Sequence, residues 1–134
     1  MKKAIICVDD EKIILNSLKS QLKKFFGNEY IYETVDDPVD VLDVIDELVG
    51  ESVSIFVIVS DWLMPRMKGD ELLIKIHEKY PKITKILLTG QASKDAVEML
   101  YDKVDLHECV LKPWNEDDLF ETMLSGLKKA EALI

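Results

Sequence analysis

Four short stretches carry the side chains best suited to chemistry: VDDE at Val8 to Glu11, SDWLMPRMKG at Ser60 to Gly69, TG at Thr89 and Gly90, and KP at Lys112 and Pro113. Asp61 follows an apolar run, IFVIV at Ile55 to Val59, that reads as the middle of a buried strand. Such a strand gains nothing by ending on a carboxylate unless the acid is used, capped or paired. Singly, each group has an ordinary structural explanation. An acid before a helix caps it, a threonine suits a strand, and a lysine is a solvated charge. Jointly those explanations weaken, because clustered acids raise one another's pKa unless a cation neutralises them. A hard, oxygen-preferring ion such as Mg2+ does so while keeping positions open for water and phosphate oxygens. In that setting Asp61 suits a nucleophile toward phosphorus. The metal and Lys112 would offset charge on the phosphoryl oxygens, the Thr89 hydroxyl would donate a hydrogen bond to one of them, and the product would be an acyl phosphate. Pro65 and Gly69 are loop formers: Pro65 fixes its own φ and biases Met64 to extended geometry, and Gly69 permits a close or left-handed turn.

The elements that must position these groups are legible in the hydrophobic pattern. Strand-like runs occur at Ala4 to Val8, Tyr30 to Val35, Ser54 to Val59, Ile83 to Thr89 and His107 to Leu111. Between them, apolar residues fall three and four apart, as at Ile14, Leu15, Leu18, Leu22, Phe25 and Phe26. The last such segment, roughly residues 115–131, carries Leu119, Phe120, Met123, Leu124 and Leu127. Gly27 and Gly50 stand where left-handed residues would end the first two helices, and Asp37 before Pro38 is an N-cap followed by Pro at the first helical position. Ser93 and Asn115 can cap the fourth and fifth helices. Five strands alternating with five helices imply an α/β domain, a (βα)5 parallel sheet covered on both faces with right-handed crossovers. Working groups in such sheets gather outside the carboxyl ends of the strands, which is where Asp9, Asp10, Asp61, Thr89 and Lys112 fall.

Composition narrows the partners. The chain has 134 residues, 48% of them hydrophobic, enough for one domain with a real core. Its formal charge of -9 argues against direct nucleic-acid binding, which needs clustered Lys and Arg. No stretch approaches the roughly 20 apolar residues of a membrane span, and MKKAIICVDD lacks the apolar core of a signal peptide, so the cytoplasm is the expected compartment. Cys7 and Cys109 are far apart and each lies in an apolar run, and both are read as buried thiols.

With these stretches in place, the sequence resembles a response-regulator receiver domain, the phosphoacceptor half of two-component signalling. Asp9 and Asp10, the segment Asp61 to Gly69, Thr89-Gly90 and Lys112-Pro113 fit the family's pattern in order and spacing, over essentially residues 1–134. The resemblance implies a flavodoxin-like, doubly wound sheet in the order 2-1-3-4-5. It implies that Asp61 is phosphorylated, that Asp10 binds Mg2+ directly, that Asp9 holds it through water and that the Leu63 carbonyl completes the protein ligands. Lys112 would pair with the phosphoryl group, and the Lys112–Pro113 bond would be cis. The implied partners are a sensor histidine kinase or phosphotransfer protein, and an output domain, output protein or second copy bound through the face made by helix 4, strand 5 and helix 5.

Three departures from the family's pattern bear on output. The family's switch aromatic falls at Cys109, so the usual aromatic relay that accompanies movement of Thr89 has no counterpart there; His107 and Tyr101 are its nearest substitutes. Leu63 and Gln91 occupy the positions that tune water access to the phosphoryl group, and Leu63 offers no polar atom to orient water. Trp62 and Trp114 are read as structural. Two alternatives stay open at this stage: a phosphate sink that does not switch, and a phosphohydrolase like the haloacid dehalogenases. The second needs an acid where this chain has Leu63.

Overall fold

The computed structural model describes residues 2–133. Its strands are β1 (Lys2–Val8), β2 (Ile31–Val35), β3 (Val53–Asp61), β4 (Thr84–Thr89) and β5 (Glu108–Leu111). They alternate with helices α1 (Lys12–Phe26), α2 (Val41–Gly50), α3 (Gly69–Lys79), α4 (Lys94–Val104) and α5 (Glu116–Ala132). All strand pairs are parallel, in the order β2-β1-β3-β4-β5. This is the expected flavodoxin-like arrangement, and its strand boundaries fall within two residues of those read from the sequence.

Each face of the sheet is sealed by its own apolar layer. Ala4, Ile6 and Val8 pack with Ile45, Leu72, Ile76 and Leu100 of α2, α3 and α4. Ile5 and Cys7 point the other way, to Leu18 and Leu22 of α1 and Leu119, Met123 and Leu127 of α5. In β3 the alternation slips once: Phe56 and Val57 face the same layer, and the register with β1 shifts so that Ala4 pairs with Ile55 but Ile5 with Val57. One extra residue in a strand inverts the facing of all that follow. Counted from Val53 without the bulge, Asp61 would have the opposite parity; the slip gives it the parity of Val57 and Val59.

The ends of the helices follow the expected caps in most places. The Ser93 hydroxyl accepts from Ala96 N–H at 3.0 Å, and the Asn115 side chain accepts from Asp117 and Asp118 N–H at 2.8 and 3.3 Å. Asp37 accepts from Val39 N–H at 3.1 Å with Pro38 in the first turn, although it opens a short 3-10 turn (Pro38–Asp40) that runs into α2. Gly27 ends α1 with φ of 61°. Gly50 departs from expectation: it is the last residue of α2, and the positive φ of 64° belongs to Ser52, two residues on, where the chain turns into β3.

Candidate phosphoacceptor site

The chain turns from strand to helix at the carboxyl ends of β1, β3, β4 and β5, and all the expected reactive groups lie there. Asp9 directly follows β1; it is 1% exposed and its Oδ1 accepts the Glu11 backbone N–H at 2.9 Å, which fixes the carboxylate at the start of α1. Asp10 beside it is exposed. Asp61 is the last residue of β3 and buried, and its Oδ1 accepts the Trp62 N–H at 2.8 Å. One oxygen from each of Asp9, Asp10 and Asp61 lies within 4.8 Å of the others.

Lys112 closes the cluster from β5. Its Nζ is 2.7 Å from Asp9 Oδ2 and 3.3 Å from Asp61 Oδ1, and its side chain is only 19% exposed. The expectation of a solvated lysine is therefore corrected: the ammonium bridges two buried carboxylates. Burial opposes its charge, but the hydrogen bond from Lys112 to Asp9 and the charges of Asp9 and Asp61 outweigh that and raise its pKa above the ordinary lysine value. Asp61 shows the reverse balance. Burial, then the charge of Asp9, push its pKa up, with Lys112 and the Trp62 N–H only partly opposing them. Three carboxylates against one ammonium leave the cluster two charges short of neutral. The donor set, hard oxygens with a deficit of two positive charges, fits a divalent ion such as Mg2+.

Thr89 ends β4, 1% exposed, and its hydroxyl accepts the Gln91 N–H at 3.1 Å while its carbonyl accepts the Lys112 N–H at 3.0 Å. That second bond ties the β4 and β5 ends together just before the Lys112–Pro113 peptide, which is cis. Pro65 lies in the β3–α3 loop, its carbonyl accepting Met67 N–H at 2.9 Å. Gly69 serves close approach and does not adopt a left-handed turn. A Cβ there would overlap the Asp61 carbonyl oxygen and come within 2.9 Å of Trp62 Cα, and Gly69 N–H donates to the Trp62 carbonyl at 2.7 Å. The left-handed residue of the loop is Arg66, φ 73°, whose guanidinium pairs with Asp37. Sequence reasoning missed that tie.

The remaining positions singled out in the sequence take more ordinary places. Leu63, two residues beyond Asp61 in the β3–α3 loop, is 48% exposed. Trp62 packs against the α2–α4 layer under the Lys68 ammonium, 5.7 Å from its ring, and its buried Nε1 has no hydrogen-bond partner among the described residues. Trp114 donates to Gln21 at 2.7 Å, joining the start of α5 to α1. Cys7 is buried, its thiol pushed up to about 12 by burial, whereas Cys109 is only half-buried, contrary to expectation. His107 does not face solvent freely; it is half-buried and bonded to Ser125 at 2.8 Å.

A parallel five-stranded sheet with an acid cluster, a threonine and a lysine at its strand ends defines a class, and comparison with known proteins names it. The family model described as the response regulator receiver domain matches residues 5–124, and the chain belongs to that family. Among solved structures, a response regulator receiver domain protein from Clostridium thermocellum superposes with a TM-score of 0.85 at 25% identity, covering 100% of both chains. A CheY-like receiver domain protein from Methanospirillum hungatei JF-1 gives 0.84 at 30% identity, covering 98% of each. The hydrogenase transcriptional regulatory protein HoxA of Cupriavidus necator is 28% identical over 72 residues, 54% of this chain and only 15% of that protein's length.

Proposed function

We propose that residues 1–134 act as a phosphoacceptor receiver in the cytoplasm, taking a phosphoryl group from a histidine kinase or phosphotransfer protein onto Asp61. The observation that carries this reading is the Asp61 carboxylate itself: buried, oriented through Oδ1 by Trp62 N–H and Lys112, and set beside Asp9 and Asp10. Both of those contacts fall on one oxygen, so Oδ2 is the natural nucleophile. It would attack phosphorus to form the acyl phosphate as the bond to the donor's imidazole nitrogen breaks, that nitrogen keeping the electron pair. Asp10 and Asp61, with Asp9 behind them and the Leu63 carbonyl from the loop, would hold Mg2+, which when bound offsets charge on the transferring phosphoryl oxygens. Lys112, which bridges Asp9 and Asp61, would turn toward the same oxygens. The Thr89 hydroxyl, which now accepts from Gln91 N–H, keeps its own proton to donate.

Output would run through the face formed by α4, β5 and α5, toward an output domain, a separate protein or a second copy. Cys109 lies on that face, half-buried on β5 opposite Leu87. Tyr101 of α4 is 41% exposed and its hydroxyl interacts with the Cys109 backbone. A tyrosine reaching across from the helix supplies an aromatic group near the position where the strand itself has none, which favours a switching receiver over a phosphate sink.

The test is incubation with Mg2+ and acetyl phosphate followed by intact-mass measurement. One acyl phosphate adduct per chain, labile to acid as mixed anhydrides are, is expected in wild type and none in Asp61→Asn. A full-occupancy adduct that survives in Asp61→Asn would overturn the assignment.

A further inference from the structure

At the opposite end of β4 from Thr89, the side chain of Lys85 is sealed inside the fold, 2% exposed. A buried ammonium is ordinarily paired with a carboxylate, yet no ion pair to Lys85 occurs among the described residues. Its Nζ instead lies 2.8 Å from His77 Nδ1 on α3 and 3.1 Å from the carbonyl of Pro81, just past the end of that helix. Further out, Asp105 in the turn that ends α4 attracts it, and Lys129 of α5 repels it while holding Asp105 in a 3.0 Å ion pair. The Lys85 carbonyl accepts the His107 N–H at 2.8 Å, so the segment joining α4 to β5 is fastened to the same residue.

We propose that buried Lys85 and half-buried His77 form a pair that carries no more than one positive charge, and that loss of this charge relaxes the junction between β4 and the carboxyl ends of α3 and α4, making it a pH-responsive element of the domain. The geometry sets the limit of one charge. With Lys85 protonated, Nδ1 of His77 must be the acceptor and its proton must sit on Nε2. A second proton on His77 would place two cations 2.8 Å apart, one of them, on Lys85, sealed from water. Burial, then the Lys85 charge, accordingly hold the His77 pKa below its ordinary value, and burial brings Lys85 from 10.5 down to about 8. Deprotonation has two opposed effects. It removes the cost of a buried charge, and it weakens the charge-assisted hydrogen bonds to His77 and Pro81. The depressed pKa means that the first effect is the larger. The unfolded chain binds the Lys85 proton more tightly between pH about 8 and 10.5, so folding stability should rise with pH through that window.

The experiment follows the Lys85 Nζ and His77 ring resonances of the wild-type chain by NMR from pH 6 to 11, with melting temperatures measured in parallel for wild type and Lys85→Met. None of the residues involved belongs to the acid cluster, so the result for the unmodified chain is independent of phosphorylation at Asp61. Expected are a Lys85 midpoint well below that of an exposed lysine, a neutral Nε2–H tautomer for His77 throughout, and backbone shifts at His77 to Pro81 and Val104 to His107 with the same midpoint. The melting temperature of wild type should climb relative to Lys85→Met as pH rises from about 8. An ordinary midpoint near 10.5 for Lys85, or backbone shifts confined to Lys85 itself, would overturn the proposal. If Lys85→Met does not fold, the wild-type resonances decide alone.

Discussion

Replacing Gly69 by alanine adds one methyl group to the first residue of α3, and the structure says where it goes. The new Cβ would overlap the Asp61 carbonyl oxygen and sit 2.9 Å from Trp62 Cα and 3.0 Å from the Asp61 carbonyl carbon. Carbon atoms rest at about 3.5–4.0 Å, so the two backbone segments must part by roughly 0.6–1 Å. No flexible side chain can give way. The Asp61 carbonyl accepts the Ser60 hydroxyl at 2.8 Å at the buried end of β3, and Gly69 N–H holds the Trp62 carbonyl at 2.7 Å. Overpacking of this kind costs about 1–3 kcal/mol, and with both partners main chain the upper half applies. For a domain of this size about 1 kcal/mol corresponds to about 4 °C, so thermal melting monitored by circular dichroism should fall by about 8–12 °C. Gly126→Ala is the internal comparison, because there the added Cβ meets His107 Cδ2 and Ile86 Cδ1 at 3.4 Å, ordinary contact, in mid-helix. That substitution should be neutral or stabilising by about 0.5–1 kcal/mol. The parting of the loop also displaces Asp61, so the rise in melting temperature on adding Mg2+ should shrink in Gly69→Ala. A Gly69→Ala protein that melts within about 2 °C of wild type and responds normally to Mg2+ would refute the reasoning.

Other consequences concern the charges at the site. Because burial and Asp9 raise the Asp61 pKa, the folded chain binds the Asp61 proton more tightly than the unfolded chain, and stability is lost as pH rises from the ordinary carboxylate value through the raised one. Without metal, Asp61→Asn should therefore melt higher than wild type at pH 7, with the advantage vanishing as pH falls toward about 4; denaturant unfolding at several pH values checks this. Lys112→Ala leaves two buried carboxylates without their cation and should cost about 2–4 kcal/mol at neutral pH, part of it restored by Mg2+ in calorimetric melts. Unchanged stability would mean that water replaces the ammonium at no cost. Leu63→Asn puts a polar atom on the exposed loop two residues beyond Asp61 and should speed loss of the acyl phosphate, followed by intact mass over time. Equal rates would assign water control to Gln91.

What the sequence disclosed and what it hid follow from the range of the forces involved. Helical period, β-branched runs and the caps at Ser93 and Asn115 are local, and they placed the five strands and five helices, though not the 3-10 turn before α2. The acid cluster was legible for a related reason: in a parallel sheet all strand ends of one sense lie on one edge, so Asp9, Asp10, Asp61, Thr89 and Lys112 had to meet once the alternation was recognised. The burial of Lys112 was not legible, because a lysine's exposure depends on which carboxylates reach it from other strands. Ser52 and Arg66 took the left-handed conformations that glycine usually marks. The bulge at Phe56 was hidden for a different reason, since β3 is apolar on both faces and a continuous apolar run carries no phase. In ITKILLT, Lys85 reads as an ordinary polar interruption of a strand; only the fold shows that His77 and the end of α3 close over it.

The bulge in β3 and the two ends of β4 are governed by the same strand parity. In a doubly wound sheet, side chains from a single strand alternate between two layers, and a chemical group is useful at a strand end only if its parity brings it beside the others. In β3 the extra residue sets that parity, and Asp61 meets Lys112 and Asp9 as a result. In β4, Lys85, Leu87 and Thr89 share one parity, facing the layer built from α2, α3 and α4. Thr89 thus lies at the acid cluster and Lys85 under the far ends of α3 and α4, on one face of one strand with Leu87 between them. A strand within a sheet is stiff along its length, and α4, whose Leu100 and Val104 share the layer of Leu87, begins four residues beyond Thr89 at the Ser93 cap and ends at Asp105, whose charge acts on Lys85. A shift of α4 on phosphorylation of Asp61, under the function proposed above, would reach the Lys85–His77 junction through Asp105. Coupling of this kind is reciprocal in free energy, so the Lys85 midpoint should move when Asp61 carries a beryllofluoride group, and a midpoint indifferent to that group would show that the two ends of β4 act independently.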